Sequence, residues 1–272
     1  MRRVTARPSG VGADPLVGTR LGHYRIGAVL GRGGMGTVYR ARDAKLHRPV
    51  ALKFVQSGRS RRTLDQFLSE VRTVSGLNDP NIVTIHGFEN YDNHLFIVME
   101  LVEGLTLRVL SDGSDEGPVS IEEIVRIAIQ VASALHVAHA AGVVHRDIKP
   151  ENVMVRQHDR LVKLLDFGLA RLMPRAVPRS VAGRAGEASG RRSREVGDPS
   201  RSSQIRNRWY GTLRYMSPEQ IEGRRLSSAT DIFSLGVVLY ELLTKSHPFG
   251  ARDQLGTLAQ ILERKPRSLH AP

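Results

Sequence analysis

Apolar and polar positions repeat with a period of about two in the first third of the chain and shift to a helical period later. Residues 24–30, 37–41 and 50–55 are short runs rich in β-branched and aromatic side chains, separated by Gly-rich or polar turns. Such adjacent runs predict an antiparallel sheet. The period then changes. Leu64, Phe67, Leu68, Val71 and Val74 recur at helical spacing, with Thr63 and Gln66 as a capping box, and predict a helix over 63–77. Further β-type runs at 82–88 and 95–101 precede a second helix opened by Ser120 and Glu123, whose apolar stripe is Ile121, Ile124, Val125, Ala128, Val131, Ala132 and Leu135. Short strands at 153–155 and 162–165 follow, then an apolar helix over 231–243 and a weaker one over 255–262. The order sheet first, helices afterwards predicts an α+β chain.

Composition refines this picture. The 272 residues are 40% hydrophobic and 25% charged, enough apolar material for one globular unit or two small lobes. The absence of cysteine excludes disulfides and Cys-ligated zinc or iron–sulfur sites and favours a cytoplasmic location. The longest apolar stretch, 232–243, is too short to span a bilayer and contains Glu241, and no signal-peptide core opens the sequence. The net charge of +13 is uneven: residues 171–208 carry ten arginines against Glu187, Glu195 and Asp198, and the first twenty add Arg2, Arg3, Arg7 and Arg20 against Asp14. A nucleic-acid partner, which a basic chain could suggest, is therefore disfavoured for the nearly balanced body. Residues 1–19 are expected to be a flexible basic lead-in. Residues 173–207 hold too few large apolar side chains to offset ordering entropy and are expected to be disordered. A loop of that length inside a compact unit implies a function of its own.

Three clusters carry candidate chemistry. Gly31-Arg32-Gly33-Gly34-Met35-Gly36 fits G-x-G-x-x-G, but residues 37–41 continue as a strand, which argues against the dinucleotide-binding form that opens a helix. The remaining reading is a hairpin tip bare enough to lie over phosphates. Lys53 shares a strand face with Ala51 and Val55, so it needs a counter-charge or an anionic ligand. Glu70, at the margin of the first helix's apolar stripe, is the plausible partner. His145-Arg146-Asp147-Ile148-Lys149-Pro150-Glu151-Asn152 places a base, a phosphate contact and a carboxamide ligand within eight residues. Asp166-Phe167-Gly168 then sets a carboxylate at a strand end, where a divalent cation would meet it and Asn152.

Together with Val50-Ala51-Leu52-Lys53 and Ser217-Pro218-Glu219, these motifs resemble the eukaryotic-type (Hanks-type) protein kinases, most closely the bacterial Ser/Thr branch, over roughly residues 24–264. The resemblance implies a bilobal fold. Residues 20–102 would form the small β-rich lobe and hinge, and 103–272 a mainly helical large lobe with an activation-loop insertion at 171–208. It further implies an ATP-dependent transferase using Mg²⁺, with Mn²⁺ as the alternative, that phosphorylates Ser/Thr hydroxyls of proteins and itself.

The same resemblance assigns roles. Leu30, Gly31, Gly33, Gly34, Gly36, Val38 and Ala51 would enclose ATP, Lys53 oriented by Glu70 would hold its α and β phosphates, and Met99 with Glu100, Leu101 and Val102 would form gatekeeper and hinge. Asn152 and Asp166 would hold the metal, Asp147 would accept the hydroxyl proton, Lys149 would steady the γ-phosphate, and Thr212 would bond the catalytic loop. Asp231 would anchor the His-Arg-Asp backbone, or serve as a plain helix N-terminal acid. Arg146 would answer a phosphate on Ser200, Ser202 or Ser203.

Two departures stand out. The span from Asp166 to Glu219 is long for the family, and the large lobe reads as truncated, leaving Glu219 without its usual arginine. An unpaired carboxylate there predicts low stability unless a homodimer or a completing chain covers the lobe. A kinase-like scaffold with weak or no activity is the alternative function that the incomplete lobe raises.

Overall fold

The computed structural model describes residues 14–33, 36–55, 61–92, 94–113, 119–167 and 213–269. The chain divides into two compact units, one of residues 1–57 and 86–101, the other of residues 58–85 and 102–272. The first helix, expected with the small lobe, thus groups with the second unit. Val74 on that helix joins the second unit's core, which is the physical reason.

The first unit is a six-stranded sheet in the order β1-β2-β3-β4-β6-β5. Its strands are β1 (Arg20–Leu21), β2 (Tyr24–Gly33), β3 (Gly36–Asp43), β4 (Arg48–Phe54), β5 (Ile85–Tyr91) and β6 (His94–Glu100). The pairings from β1 to β4 and between β4 and β6 are antiparallel. Register sorts the side chains. Gly31 pairs with Val38, Val38 with Lys53, and Ala51 with Met99, so these residues share one face. The other face carries Ile26, Tyr39, Ala41, Leu52, Phe54, Phe96 and Val98, which form the unit's core. Phe54 stacks on Phe96 with ring centroids 5.2 Å apart.

The expected strand at 82–88 begins three residues late. Ile82 instead forms a parallel bridge with Leu164, and the Leu164 amide donates to the Asn81 carbonyl at 2.7 Å, which draws this segment to the second unit. Residues 14–19 are packed, in contrast to the flexible lead-in expected there: Leu16 lies against the first unit's core, and the Ile26 amide donates to the Thr19 carbonyl at 2.9 Å.

The second unit contains α1 (Arg61–Ser75), β7 (Gly104–Thr106), α2 (Leu107–Ser111), α3 (Ile121–Ala140), β8 (Val153–Arg156), β9 (Val162–Leu164), α4 (Pro218–Ile221), α5 (Ser228–Thr244) and α6 (Gln254–Glu263). The sequence did not betray β7, α2 or α4, which are too short to show a period. Ser120 caps α3 as expected, its hydroxyl accepting from the Glu123 amide at 3.2 Å. The Thr63 and Gln66 side chains, and the whole expected insertion at 171–208, lie outside the described residues. Helix α5 starts before Asp231 because Ser227 supplies the cap. Its buried face, with Val131, Leu135 and Ala138 of α3 and the β8 and β9 side chains Val153, Val155 and Leu164, forms one core.

Candidate active site

The His145-Arg146-Asp147 segment emerges between α3 and β8, and its backbone is fixed by one buried side chain. Asp231, on the first turn of α5 and fully buried, accepts the His145 amide at 2.8 Å, the Arg146 amide at 2.7 Å and a bond from His139 Nε2 at 2.7 Å. A buried carboxylate is sustained by such donors. Asp231 is therefore an anchor and not merely a helix N-terminal acid. Arg146 is held at φ +70°, a region that costs a non-glycine residue free energy and persists only under such constraint. Its carbonyl accepts from Gln220 Nε2 at 2.8 Å, and its guanidinium lies 3.6 Å from the Glu70 carboxylate.

His145 is a strut. Its Nε2 lies 2.7 Å from the Leu165 carbonyl, and the Asp147 amide donates to its Nδ1 at 3.2 Å. A carbonyl can only accept and an amide N–H can only donate, so the ring is neutral with its proton on Nε2. Burial pushes its pKa below the usual histidine range, against the pull of Asp231 and Asp147. The Phe167 ring packs on it at 4.5 Å. His145 thus positions the segments on both sides of it.

Asp147 is buried, yet its carboxylate is reached by two neighbours. Lys149 Nζ donates to Oδ2 at 2.7 Å, and Asn152 Nδ2 donates to Oδ2 at 3.0 Å and to the Asp147 carbonyl at 2.8 Å. Both Asn152 bonds run from its nitrogen, which turns the carbonyl oxygen away from Asp147 and offers it to a hard cation. Asp166, at φ +62°, follows β9, and the Leu165 amide before it donates to the Asn152 carbonyl at 2.8 Å. A carboxamide and a carboxylate joined through one backbone bond suit a cation such as Mg²⁺, which keeps few protein ligands and completes its shell with phosphate and water.

In the first unit, the face defined by register carries the nucleotide candidates Gly31, Val38, Ala51, Lys53 and Met99. Lys53 and Met99 are buried there. Gly31 and Gly33 have open space where a Cβ would stand, which leaves the hairpin backbone bare. Gly36 is required for a different reason: at φ +142°, an added Cβ would meet the Phe54 carbonyl oxygen at 1.7 Å.

The protein kinase domain family model matches residues 24–270 of this chain. The chain belongs to the protein kinase domain family. The kinase domain is 37% identical over 260 residues to the serine/threonine-protein kinase pkn3 of Myxococcus xanthus, covering 93% of this chain and 43% of that protein. It is 35% identical over 258 residues to PknE of Mycobacterium tuberculosis, covering 94% of this chain and 40% of that protein. The chain therefore spans about two fifths of the length of these relatives. A crystal structure of a double mutant of the Mycobacterium tuberculosis PknI kinase domain superposes with a TM-score of 0.63 at 22% identity, over 85% of this chain and 79% of that one. That likeness shows the kinase fold.

Within this kinase domain, the structure assembles Asp147, Lys149 and Asn152, seats Asp166 and Phe167 beside them in the second unit, and places Lys53 and Glu70 on β4 and α1, in different units. Leu30 is exposed at the hairpin, Glu100 ends β6, and Leu101 and Val102 follow it. Gly34, Thr212, Ser200, Ser202 and Ser203 lie outside the described residues. Glu219 is a correction: it is not orphaned, because the Thr230 hydroxyl donates to it at 2.7 Å. Burial alone would raise its pKa, but that hydroxyl and neighbouring donors, with Arg224 nearby, hold it below the usual carboxylate range.

Several residues escaped sequence reasoning. His139 continues the α3 stripe one turn beyond Leu135, and a polar residue in that register was its signal. Gln220 is betrayed by the Ser217–Gln220 capping box that opens α4. Arg108 of α2 had no signal; its guanidinium donates to Glu151 at 2.9 Å and to the Tyr215 hydroxyl at 2.5 Å, and Glu241 lies at 3.6 Å.

Proposed function

We propose that this chain is an active serine/threonine protein kinase that transfers the γ-phosphoryl group of ATP to protein hydroxyls. The observation that carries the reading is the Asp147 carboxylate, oriented by Lys149 and Asn152 on a loop whose backbone Asp231 pins. Asp147 orients the acceptor hydroxyl and takes its proton as the oxygen attacks phosphorus. Lys149, already bonded to that carboxylate, adds positive charge for the γ-phosphate as the bond to the β,γ-bridging oxygen breaks. Lys53 answers the α and β phosphates and is oriented by Glu70. Val38 and Ala51 cover the adenine, Met99 backs it, and the backbone of residues 100–102 bonds it. Leu30 and the glycines Gly31, Gly33, Gly34 and Gly36 close over the phosphates. Asn152 and Asp166 would hold a divalent cation, Mg²⁺ in preference to Mn²⁺, which would supply charge to neutralise the phosphates. Thr212 supports the catalytic loop. Arg146 receives a phosphate placed on the activation loop at Ser200, Ser202 or Ser203. Most of the rate derives from positioning and electrostatics.

Partners are proteins presenting Ser or Thr hydroxyls. No helix among the described residues is long and apolar enough to cross a membrane, and a cytoplasmic place of action is part of this proposal. The competing reading is a scaffold, raised by an incomplete large lobe; the Thr230 bond gives Glu219 a partner and leaves that ground in place. The test is intact-mass spectrometry after incubation with Mg-ATP, beside Asp147→Asn. Whole-phosphate gains in the wild type alone are expected. No gain in either protein, with nucleotide still bound, would overturn the reading in favour of a scaffold.

A further inference from the structure

The glycine-rich hairpin of β2 and β3 poses a mechanical problem. Gly31, Gly33 and Gly36 leave the facing ends of β2 and β3 with few side chains, and their last register pairs are Arg32 with Thr37 and Gly33 with Gly36. Ends of that composition have little of their own to hold them in place, because glycine packs nothing and gives up the most conformational freedom on ordering. Arg32 is the one long side chain in the last three residues of β2, and register puts it on the face opposite Gly31, Val38 and Lys53.

On that face lies the segment 14–19. The Asp14 side chain is 7% exposed, and its carboxylate accepts from the Arg32 guanidinium, from the Tyr39 hydroxyl at 3.0 Å to each oxygen, and from the Leu16 amide at 3.1 Å. One half-buried anion thus ties the end of β2, the middle of β3 and its own turn together. The turn is itself fastened. The Val17 amide donates to the Asp14 carbonyl at 3.0 Å, the Gly18 amide to the Ile26 carbonyl at 3.0 Å, and the Ile26 amide to the Thr19 carbonyl at 2.9 Å, while Leu16 packs on the core. Burial alone would raise the Asp14 carboxyl, yet the Leu16 amide, the Tyr39 hydroxyl and Arg32 hold it below the usual carboxylate range. It is therefore ionised throughout the physiological range. With Arg32 60% exposed, the ion pair by itself contributes little, but a half-buried carboxylate bonded to three donors is held in a directional, charge-assisted arrangement.

We propose that residues 14–19 are a strap that sets the position of the glycine-rich hairpin, with Asp14 as a positioning residue acting through Arg32. The inference deepens the kinase reading, since the hairpin is the element assigned to the phosphates of ATP. The strap touches the face away from the nucleotide residues, so it orders the hairpin without adding a contact to substrate. Its loss should weaken nucleotide binding and leave the chemical step intact.

The experiment compares the full chain with Asp14→Asn, Arg32→Gln, the double variant and Asp14→Glu. Three readouts are used: hydrogen exchange of the β2 and β3 amides without nucleotide, the Kd for Mg-ATP by calorimetry, and kcat with KM for ATP. Each single variant should raise hairpin exchange and the ATP Kd by about tenfold, the scale of one lost charge-assisted hydrogen bond, with kcat within about twofold. The double variant should be no worse than either single one, and Asp14→Glu should recover part of the loss. Unchanged exchange and Kd, or additive effects in the double variant, would overturn the strap. Should Asp14→Asn fail to fold, Arg32→Gln carries the test alone, because its side chain is 60% exposed. A wild type that binds ATP without transferring phosphate would sink the proposed activity, while exchange and Kd would still decide the strap.

Discussion

Replacing Asp231 tests whether one buried carboxylate holds the catalytic loop. In the wild type it satisfies the His145 and Arg146 amides and bonds His139, all at 2.7–2.8 Å. Asp231→Ala leaves two buried N–H groups without acceptors, each costing about 1–3 kcal/mol, for a total of about 2–6 kcal/mol. Asp231→Asn is the sharper perturbation, because it preserves shape. The amide retains one acceptor oxygen and turns its NH₂ toward a donor, so one N–H loses its partner and about 1–3 kcal/mol is lost. The left-handed backbone of Arg146 adds a second consequence. A strained residue persists only where its surroundings over-determine it, so the loop should relax once a bond is removed. Urea unfolding followed by far-UV circular dichroism gives the first quantity, and hydrogen exchange of the 145–147 amides gives the second. Phosphotransfer should fall by about a hundredfold, the scale set by displacing a reacting group by about 1 Å. An Asn variant within about 0.5 kcal/mol of wild type, with unchanged exchange at those amides, would refute the anchoring role.

Two further perturbations follow from buried geometry. His145 and His247, a buried residue just past α5 whose Nε2 lies 2.9 Å from the Arg214 carbonyl, are both held below the usual histidine range, with burial the leading cause in each. The unfolded chain therefore binds more protons below about pH 6.5, so this contribution is complete above that pH and is lost as the pH falls, by at most about 1.4 kcal/mol per pH unit for each residue. Urea midpoints at pH 7.5, 6.0 and 5.0 should fall in that order, and a midpoint that rises toward pH 5.0 would contradict the assignment. Gly36→Ala drives a Cβ into the Phe54 carbonyl from a backbone that favours glycine. It should lower the melting temperature by at least about 5 °C and weaken ATP binding; an unchanged melt would show that the hairpin can move aside.

What the sequence made legible was whatever carried a period or a motif. The strands from Tyr24 to Phe54, helix α3 and helix α5 have repeating apolar faces, and the His-Arg-Asp segment keeps its chemistry within a few consecutive residues. The expected strand at residue 82 failed for a tertiary reason, since β9 supplied a competing partner in Leu164. Local pattern carries no information about such a competition. The same holds for Asp14, which reads as one acid in a basic leader. Only the fold brings it to Arg32 and Tyr39, 18 and 25 residues away. The inference from a missing arginine to an orphaned Glu219 failed in a similar way. A carboxylate needs a donor and not a particular residue, and Thr230, in the first turn of α5, provides it.

Arg146 shows why long-range satisfaction and local motif have to be read together. Its sequence neighbours mark it as an anion receptor beside Asp147, the proposed catalytic base, a statement about its side chain alone. The fold uses all three of its functional groups. Its amide is committed to Asp231 on α5, its carbonyl to Gln220 on α4, and its guanidinium faces Glu70 on α1. The two backbone bonds fix the left-handed turn, so the direction of the side chain is set by elements far away in sequence. An anion arriving at this guanidinium would have to compete with Glu70 for it. Charge at position 146 is legible from the residue type, whereas the backbone geometry that sets where its side chain starts comes from α4 and α5.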